Sequence, residues 1–337
     1  MLFPIGKFED CSNFRRTVQE AGPYVGCVTN DNLNNTSMRE KTIYALGFFD
    51  GVHLGHQALL DACRTLAKAT GCKAGVVTFG NHPDTLVQGQ TPSLLTTPEQ
   101  REWILKEHFG MDRVLTLPFD AQLRSMPWED FLTMLMEQYD GAGFVCGDDF
   151  RFGYKGQGNG KLLMKFCTGH NLPSGIVEEQ MVDGRRVSST YIRKQIETGD
   201  MATAIKFLGH PYYLTGTVVK GKQLGRTLGI PTANLILPEG LAIPKFGVYA
   251  CLCLVDGKAY PAVTNIGTRP TVEGQGITVE PWILDFSGDL YDKEITLEFY
   301  RFLRPEVKFP DLDALKAEIH NNARQTRAYF EENGMKF

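Results

Sequence analysis

The chain has 337 residues, more than one hydrophobic core usually serves, so two domains are expected. Its 42% hydrophobic and 22% charged residues are typical of a soluble globular protein, and the formal net charge of -4 does not support nucleic-acid binding. No apolar run approaches the roughly 18 residues of a membrane span, and no charged-then-apolar leader opens the chain. We therefore expect a cytoplasmic protein.

The eight cysteines predict no covalent or metal framework. They include no Cys-x-x-Cys pair and are scattered through apolar segments, which argues against disulfides or a zinc site. They are typical of buried thiols in a reducing cytosol.

Residues 1–40, to which we assign no function, contain weak apolar clusters and then a loop-forming run at residues 30–36. The first strong apolar run follows at residues 43–46. The run leads into a glycine-rich turn at residues 47–56 and then into an amphipathic segment. This pattern predicts a strand-to-helix turn, where backbone N–H groups and the helix dipole attract phosphate. His53 and His56 are three residues apart, so both imidazoles can donate to one anion, which suits nucleotidyl transfer. The alternative is that they only cap the helix.

Strand and helix patterns alternate through the first half of the chain. In order, the predicted elements are a strand at 43–46, a helix at 57–69, a strand at 74–79, a helix from a capping box at 97–100 to about 109, a strand at 114–117, a helix at 127–139 and a strand at 143–147. This alternation predicts a Rossmann-like, doubly wound parallel sheet with ligands at the carboxyl ends of its strands. The turns at residues 47–56, 80–83 and 148–156 should therefore face one crevice.

The pattern changes near residue 210. Residues 188–193 form a hydroxyl-rich helix start, which by itself need be no more than a cap. From about residue 210 to residue 302, short alternating runs between glycines and prolines predict an antiparallel barrel or sandwich, and residues 311–330 predict a terminal amphipathic helix. We therefore expect domains at residues 1–208 and 209–337.

Three motifs carry a family resemblance. The string Gly-x-Phe-Asp-Gly-Val-His-x-Gly-His at residues 47–56 resembles the signature of the bifunctional riboflavin kinase/FAD synthetase family. Ser-Ser-Thr-Tyr-Ile-Arg at residues 188–193 resembles that family's mobile clamp on the triphosphate. Residues 221–234, with a glycine every fourth residue and then Pro-Thr-Ala-Asn, resemble its kinase signature, although glycine loops alone are ordinary connectors. Residues 265–271 and 303–309 also match, so the resemblance covers both predicted domains.

The resemblance implies two reactions that use ATP and Mg²⁺. The N-terminal nucleotidyltransferase domain would transfer AMP from ATP to FMN, giving FAD and pyrophosphate. The C-terminal antiparallel β-barrel, with its terminal helix, would transfer the γ-phosphoryl group of ATP to riboflavin, giving FMN. The expected partners are these small molecules, with no nucleic acid and no membrane, and the oligomeric state is not indicated.

The resemblance also implies roles for residues of the N-terminal half. His53 and His56 would stabilise phosphate charge with Asp50 as their orienting partner, and Ser189 and Arg193 would form the clamp. The other implied contacts are ATP binding by Gly47, Phe48, Gly55 and Thr190, and flavin binding by Asn81, Asp149, Phe150 and Arg151.

In the kinase half, the resemblance implies Thr232 and Asn234 as the metal-side residues and Glu280 as the catalytic glutamate. A primary alcohol attacking a phosphate needs a nearby acceptor for its proton, which fits a carboxylate. The other implied contacts are ATP binding by Gly221, Lys222, Gly225, Arg226 and Pro231, and flavin binding by Arg304.

Glu280 lies in a predicted strand whose alternation puts it on the same face as Trp282, Leu284 and Phe286. We expect this mainly apolar face to point into the barrel, where a carboxylate needs a functional reason or an internal partner. Pro281 cannot donate a ladder hydrogen bond, so the strand should lie at an edge or be bulged.

Three sites depart from the usual family pattern. Gly80 and Asn81 stand where an acidic residue and proline are usual, which bears on the adenylylation pocket. Trp282 replaces a common histidine and Asn322 a common aspartate, which bear on how the flavin or the last helix is held. Two alternatives therefore stay open: only the kinase half is active, or the chain is a flavin-binding regulatory module without turnover.

Overall fold

The structure is a computed structural model. The residues that it describes are 41–82, 92–221, 225, 229–271 and 274–335. Contacts divide the chain into two units, one that ends at Ser189 and one that begins at Thr190. Within the ranges just given, no helix is long and apolar enough to cross a membrane.

The first unit is built on a parallel sheet. Its strands are β1 (Thr42–Leu46), β2 (Lys73–Phe79), β3 (Arg113–Leu117), β4 (Gly141–Gly147) and β5 (Ser174–Val177). They lie in the order β3-β2-β1-β4-β5, and every residue of β1 is buried, as expected for a central parallel strand. The strand order reverses at β1, and ligands of such sheets bind at the carboxyl end of the strands beside such a reversal.

Helices cover this sheet. The further elements of the unit are α1 (Leu54–Thr70), α2 (Pro98–Trp103), α3 (Ala121–Ser125), α4 (Trp128–Gln138) and α5 (Gly160–Gly169), a π turn at Ile104–His108, 3-10 turns at Asp50–Val52 and Tyr154–Gly156, and the short strands β6 (Met181–Val182) and β7 (Arg185–Arg186). Helix α1 begins earlier than predicted because His53 is its N-cap. The capping box of α2 is confirmed: the Gln100 N–H donates to the Thr97 hydroxyl at 3.1 Å, and the Thr97 N–H donates to the Gln100 side chain at 3.4 Å.

The second unit is a closed antiparallel barrel with helices against it. Its elements are α6 (Ser189–Thr198), whose first residue belongs to the first unit, α7 (Met201–Leu208), β8 (Tyr212–Val219), β9 (Asn234–Ile236), β10 (Gly247–Val255), β11 (Lys258–Thr271), β12 (Gly274–Ile283), β13 (Glu294–Arg304) and α8 (Leu312–Glu332). The barrel closes in the order β10-β11-β12-β9-β8-β13. The predicted fold class, a parallel α/β domain followed by a barrel and a terminal helix, is confirmed.

The division by contacts falls earlier in the chain than the predicted boundary at residues 208 and 209. Helix α7 packs against β8 and β13, and its Ile205 packs against a cluster that contains Leu252, Tyr300 and Phe330. This apolar contact places α7 with the barrel. The predicted boundary stays a prediction about where the two activities separate.

A buried carboxyl lies beside that cluster. The side chain of Glu298 on β13 is 5% exposed and accepts a hydrogen bond from the Tyr300 hydroxyl at 2.8 Å. Burial raises the pKa of Glu298 to about 7, although the bond from Tyr300 opposes the shift. Burial also raises the pKa of Tyr213 and of Cys251, and the charge of Glu298 adds to both shifts.

We therefore expect the barrel unit to lose stability as the pH rises. The folded state holds the Glu298 proton more tightly than the unfolded state, so its contribution is complete below about pH 4.5 and is lost by about pH 7. A shift of this size is of the order of 3 kcal/mol. Replacing Glu298 by Gln should remove this part of the pH dependence, so that the variant gains stability relative to the wild type between these values.

The measurement is denaturant unfolding of the barrel unit followed by the fluorescence of Trp282, with Trp103 and Trp128 replaced by Phe. The matched control is Glu294→Gln, at an exposed position of the same strand. A constant stability difference between the Glu298→Gln variant and the wild type across pH 4.5 to 7 would show that Glu298 titrates normally.

Candidate active sites

The turn after β1 has an unusual backbone. Phe49, Gly51 and Val52 have φ angles of 59°, 77° and 40°. A β-branched residue rarely adopts such an angle, so Val52 is strained, and strain of this kind clusters at functional turns. The backbone therefore agrees with the predicted site at this turn.

The Asp50 carboxylate holds this turn in place. It is 2% exposed, and its Oδ1 accepts hydrogen bonds from the Leu95 N–H at 2.8 Å, the Thr96 N–H at 3.0 Å and the Thr96 hydroxyl at 3.3 Å. The Ser189 hydroxyl donates to the Asp50 backbone carbonyl at 2.9 Å. The structure thus brings Asp50 and Ser189 together, while the roles of Asp50 as partner of the histidines and of Ser189 in the clamp stay predictions.

The two histidines stack on each other. Their ring centroids are 3.6 Å apart with an angle of 10° between the planes. His53 Nδ1 accepts the His56 backbone N–H at 3.3 Å, so in the neutral ring the proton of His53 is on Nε2. A Cβ atom at Gly55 would lie 3.3 Å from the His53 ring, so glycine leaves that ring room. The pair can offer imidazole N–H groups at the end of β1.

His56 is neutral at physiological pH. Burial lowers its pKa well below 6.5, and the charges of His53 and Arg101 add to the effect. Its Nδ1 is buried and has no hydrogen-bond partner within the described part of the chain. This nitrogen can therefore form one further hydrogen bond at the predicted phosphate site.

Arg101 was missed by sequence reasoning. Its side chain is fully buried, its Nη2 donates to the Phe79 carbonyl at 2.7 Å, and its guanidinium lies 4.4 Å from the centre of the Phe48 ring. A single arginine in a short capped helix belongs to no motif, so only the tertiary structure shows that this cation lies at the edge of the sheet.

The predicted flavin residues follow β2 and β4, at the same edge of the sheet. The Asn81 amide donates to the Phe119 carbonyl at 2.9 Å and accepts the Phe119 N–H at 3.0 Å, so this departure from the family pattern joins two turns. Asp149 forms an ion pair with Arg186.

Two further residues of this set lie in the same loop after β4. Arg151 donates to the backbone carbonyls of Asp148 and Phe150. The Phe150 ring stacks on that of Phe152, with centroids 5.8 Å apart. The flavin contacts of these residues, and the ATP contacts of Thr190 and Arg193 on α6, stay predictions.

In the barrel unit, glycines pack closely on the Pro-Thr-Ala-Asn turn. A Cβ atom at Gly221 would lie 2.4 Å from the Asn234 amide nitrogen. At Gly225 it would lie 2.3 Å from the Ile230 carbonyl oxygen and 3.4 Å from the Thr232 hydroxyl. Because the contact of Gly225 is with backbone, only glycine allows that approach. The structure therefore brings together the predicted glycines and metal-side residues, while the predicted ATP contacts Lys222 and Arg226 lie outside the described residues.

Strand β12 has a full partner on one side only. It pairs with β11 along its length, whereas β9 contributes the pair Val279 and Leu235. The Ala233 N–H also donates to the Pro281 carbonyl at 2.9 Å. Strand β12 therefore lies between β11 and β9 in the closed barrel and its pairing with β11 has no bulge, so the predicted edge or bulged position is wrong. Pro281 lies beside a three-residue strand, and the Pro-Thr-Ala-Asn turn lies beside Glu280.

The face of β12 that carries Glu280 lies outside the barrel, so the prediction that it points inward is wrong. Trp282 on that face packs against a cluster that includes Ala323 of α8, and its ring meets the His320 ring edge-on with centroids 5.5 Å apart. Because α8 makes the outer face apolar as well, alternation predicts which residues share a face but not which face is inside. Glu280 is half-buried there.

Arg304 is held by the terminal helix. Its Nε donates to the Asn322 side-chain oxygen at 3.0 Å and lies 3.4 Å from a Glu318 oxygen, and Asn322 donates to Glu318 at 2.9 Å. An aspartate at position 322 would lack the donor that Glu318 accepts. The asparagine thus fits this buried cluster, and the predicted flavin contact of Arg304 stays a prediction.

The two units together define a class of transferase. A parallel sheet with a histidine pair at its first strand-to-helix turn is built for nucleotide phosphates, and it is followed by a barrel with its own glycine-lined loop. In agreement, the family model for FAD synthetase matches residues 35–191, and the family model for riboflavin kinase matches residues 208–330. The chain belongs to the family of bifunctional riboflavin kinase/FMN adenylyltransferases.

Known relatives support this membership. The chain is 38% identical to the bifunctional riboflavin kinase/FMN adenylyltransferase of Pseudomonas fluorescens, over 85% of this chain and 92% of that protein. It is 35% identical to the protein of the same name from Listeria monocytogenes, over 86% and 92% of the two chains. A solved structure described as a macrolide-efflux protein from Streptococcus pneumoniae superposes with a TM-score of 0.78 at 28% identity, over 86% and 94% of the chains. The predicted family and its pair of activities are confirmed.

The histidine pair generates a prediction about one activity only. Replacing His53 or His56 by alanine should lower FAD formation about 10²-fold or more, because each change removes a positioned donor from the developing phosphate charge. FMN formation should stay near the wild-type rate. The measurement is the rate of each reaction with its flavin supplied separately.

The control is His170→Ala. His170 directly follows the end of α5, away from this turn, and its ring stacks on that of Phe166. Both rates should be unchanged in the control. Equal loss of both activities in a correctly folded histidine variant would contradict the assignment of this pair to adenylyl transfer.

Proposed function

We propose that the barrel unit phosphorylates riboflavin to FMN and that the sheet unit adenylylates FMN to FAD, each with ATP. The observation that supports the proposal is that one chain carries stacked histidines at the end of β1, and glycines packed against the Pro-Thr-Ala-Asn turn beside Glu280. The predicted cytoplasmic location and the predicted lack of nucleic-acid and membrane partners stay predictions.

For adenylyl transfer, a phosphate oxygen of FMN attacks the α-phosphorus of ATP, and the bond to the β-phosphate breaks to release pyrophosphate. The attacking oxygen is already ionised, so no general base is needed. Imidazole N–H groups of His53 and His56, with the amino end of α1, would stabilise the charge on the phosphates. His56 would act as a neutral donor, and its burial would strengthen the hydrogen bond to a phosphate oxygen.

For phosphoryl transfer, the 5'-hydroxyl of riboflavin attacks the γ-phosphorus of ATP, and ADP leaves. Glu280 would accept the hydroxyl proton. Glu280 lies on the outer face of β12, and the flavin must reach it. The flavin would therefore bind outside the barrel, between this face and the terminal helix.

The side chains proposed for Mg²⁺ fit that ion in kind. Thr232 and Asn234 offer oxygen atoms, which Mg²⁺ prefers, but both are neutral. Within the described ranges, no group of three His, Cys, Asp or Glu side chains could hold a metal. These residues would therefore supply two ligands to an ion bound mainly by ATP, and when bound it would offset the phosphate charge.

One experiment separates this proposal from its two alternatives. Purified protein is incubated with riboflavin, ATP and Mg²⁺, and the flavins are separated. FMN and FAD together support the proposal, FMN alone indicates that only the kinase half works, and unchanged riboflavin indicates a binding module.

The proposed base generates a second test. Glu280→Gln is nearly isosteric but cannot accept a proton well, so kinase turnover should fall by roughly 10²-fold or more while riboflavin binding is kept. FAD synthesis from supplied FMN in the same preparation is the internal control and should be unchanged. Wild-type kinase turnover in this variant would leave Glu280 as a structural residue.

The division of the chain generates a third test. A fragment that begins at Thr190 keeps α6 and α7 with the barrel and should phosphorylate riboflavin. A fragment that begins at Pro211 loses the contact of Ile205 with Tyr300 and Phe330, and should be less stable by about 2 kcal/mol or more. Stability is measured by denaturant unfolding and activity by FMN formation. If the longer fragment folds cooperatively but makes no FMN, the kinase activity depends on the first unit.

A further inference from the structure

Arg101 on α2 is a fully buried cation with spare hydrogen-bond donors. Its Nη2 donates to the Phe79 carbonyl at 2.7 Å, and its guanidinium lies over the Phe48 ring. Its Nε and Nη1 are buried and have no hydrogen-bond partner in the part of the chain that the structure describes. Most of the donors of this guanidinium are therefore unused.

The side chain carries its charge in spite of this burial. Burial lowers the pKa of Arg101 to about 10, opposed by the negative charges of Asp50 and Glu99, so the group stays protonated at neutral pH. The Asp50 Oδ1 accepts its hydrogen bonds from Leu95 and Thr96, and the Arg101 Nε and Nη1 have no hydrogen-bond partner among the described residues. The charge of Arg101 is thus only partly compensated, and buried arginines normally have an anionic partner.

The guanidinium lies at the carboxyl edge of the sheet. Phe79 is the last residue of β2, and Phe48 is in the turn after β1, so Arg101 lies between these two turns. The positive charge of Arg101 also contributes to the lowered pKa of His56, whose buried Nδ1 is likewise without a hydrogen-bond partner. A buried cation and a buried ring nitrogen without partners thus occur at the edge of the sheet where ligands bind.

A purely structural role explains only part of these observations. The bond to Phe79 and the contact with Phe48 would hold the two turns together, and they account for Nη2 and one face of the guanidinium. They leave Nε and Nη1 unsatisfied in a buried place, where an apolar side chain of similar volume would be less costly. An anion that accepts from these nitrogens removes that cost.

We propose that Arg101 binds phosphate oxygens of a substrate in the adenylyltransferase site. The inference rests on the proposed function of that half and adds a residue to it. A planar guanidinium matches the oxygens of a phosphate and offers several donors at once. Two substrates carry this chemistry, the triphosphate of ATP and the 5'-phosphate of FMN. Because Arg101 is fully buried, the phosphate reaches it only after a local rearrangement.

The decisive variant is Arg101→Met, which keeps the length of the side chain and removes the charge. If Arg101 serves substrate phosphate, the unfolding midpoint of this variant is unchanged or raised, while kcat/KM for FAD formation falls about 10²-fold. Kinase turnover is unchanged. Arg101→Lys, which keeps the charge but not the fork of donors, retains an intermediate rate, about tenfold below the wild type. Arg64→Met, at an exposed arginine of the same unit, is the matched control and keeps both activities.

Binding identifies the phosphate without relying on activity. The affinities of the full-length wild type and Arg101→Met for ATP, FMN and riboflavin are measured by calorimetry, and the kinase half contributes equally to both proteins. Weaker binding of ATP alone points to the triphosphate. Weaker binding of FMN with unchanged binding of riboflavin points to the flavin phosphate.

Two outcomes would overturn the proposal. One is FAD formation within twofold of the wild type in Arg101→Met. The other is a loss of activity that follows a loss of stability, with the affinities for ATP and FMN unchanged, which would show that Arg101 only holds the two turns. If the wild-type protein makes no FAD, the proposed function of this half fails, and the binding measurements still decide whether Arg101 contacts phosphate.

Discussion

The adenylyltransferase half depends on one buried carboxylate. Asp50 lies in the strained turn after β1 and accepts three hydrogen bonds from the chain at Leu95 and Thr96, just before α2. A buried charge needs such donors, so the turn and the start of α2 must stay together. Helix α2 in turn carries Arg101 to the end of β2. A single satisfied carboxylate thereby positions groups from two turns around one crevice.

The kinase half solves a similar problem with backbone instead of charge. Its loop approaches the Pro-Thr-Ala-Asn turn so closely that a Cβ at Gly221 or Gly225 would overlap it. The same turn is tied to β12 by the bond between Ala233 and Pro281. The polar atoms of this turn are thus brought next to Glu280. In both halves, close packing at strand ends positions polar groups, which is what the stabilisation of a transferred phosphate group requires.

Local patterns in the sequence predicted much of this structure. The parallel sheet was predicted from the alternation of strand and helix. The start of α2 was predicted from the capping box of Thr97 and Gln100. The histidine pair was found because a phosphate-binding turn is contiguous in sequence, and its glycines are required by backbone geometry. Asp50 could be named from the same string. The N–H groups of Leu95 and Thr96 that donate to its side chain lie 45 and 46 residues further along the chain, so they could not be predicted.

By itself, the sequence determined the main strands and helices as far as β4, the class of each domain and the residues of contiguous motifs, because these depend on short-range periodicity and turn chemistry. It did not indicate α5, β5 or α7. Only the tertiary structure decided which face of β12 is outside, since α8 covers that face with apolar side chains and makes both faces look alike. It also decided that α7 belongs to the barrel, through the contact of Ile205, and that Arg101 is buried beside the histidine turn. Burial and long-range hydrogen bonds join residues far apart in the chain, so no local pattern can reveal them.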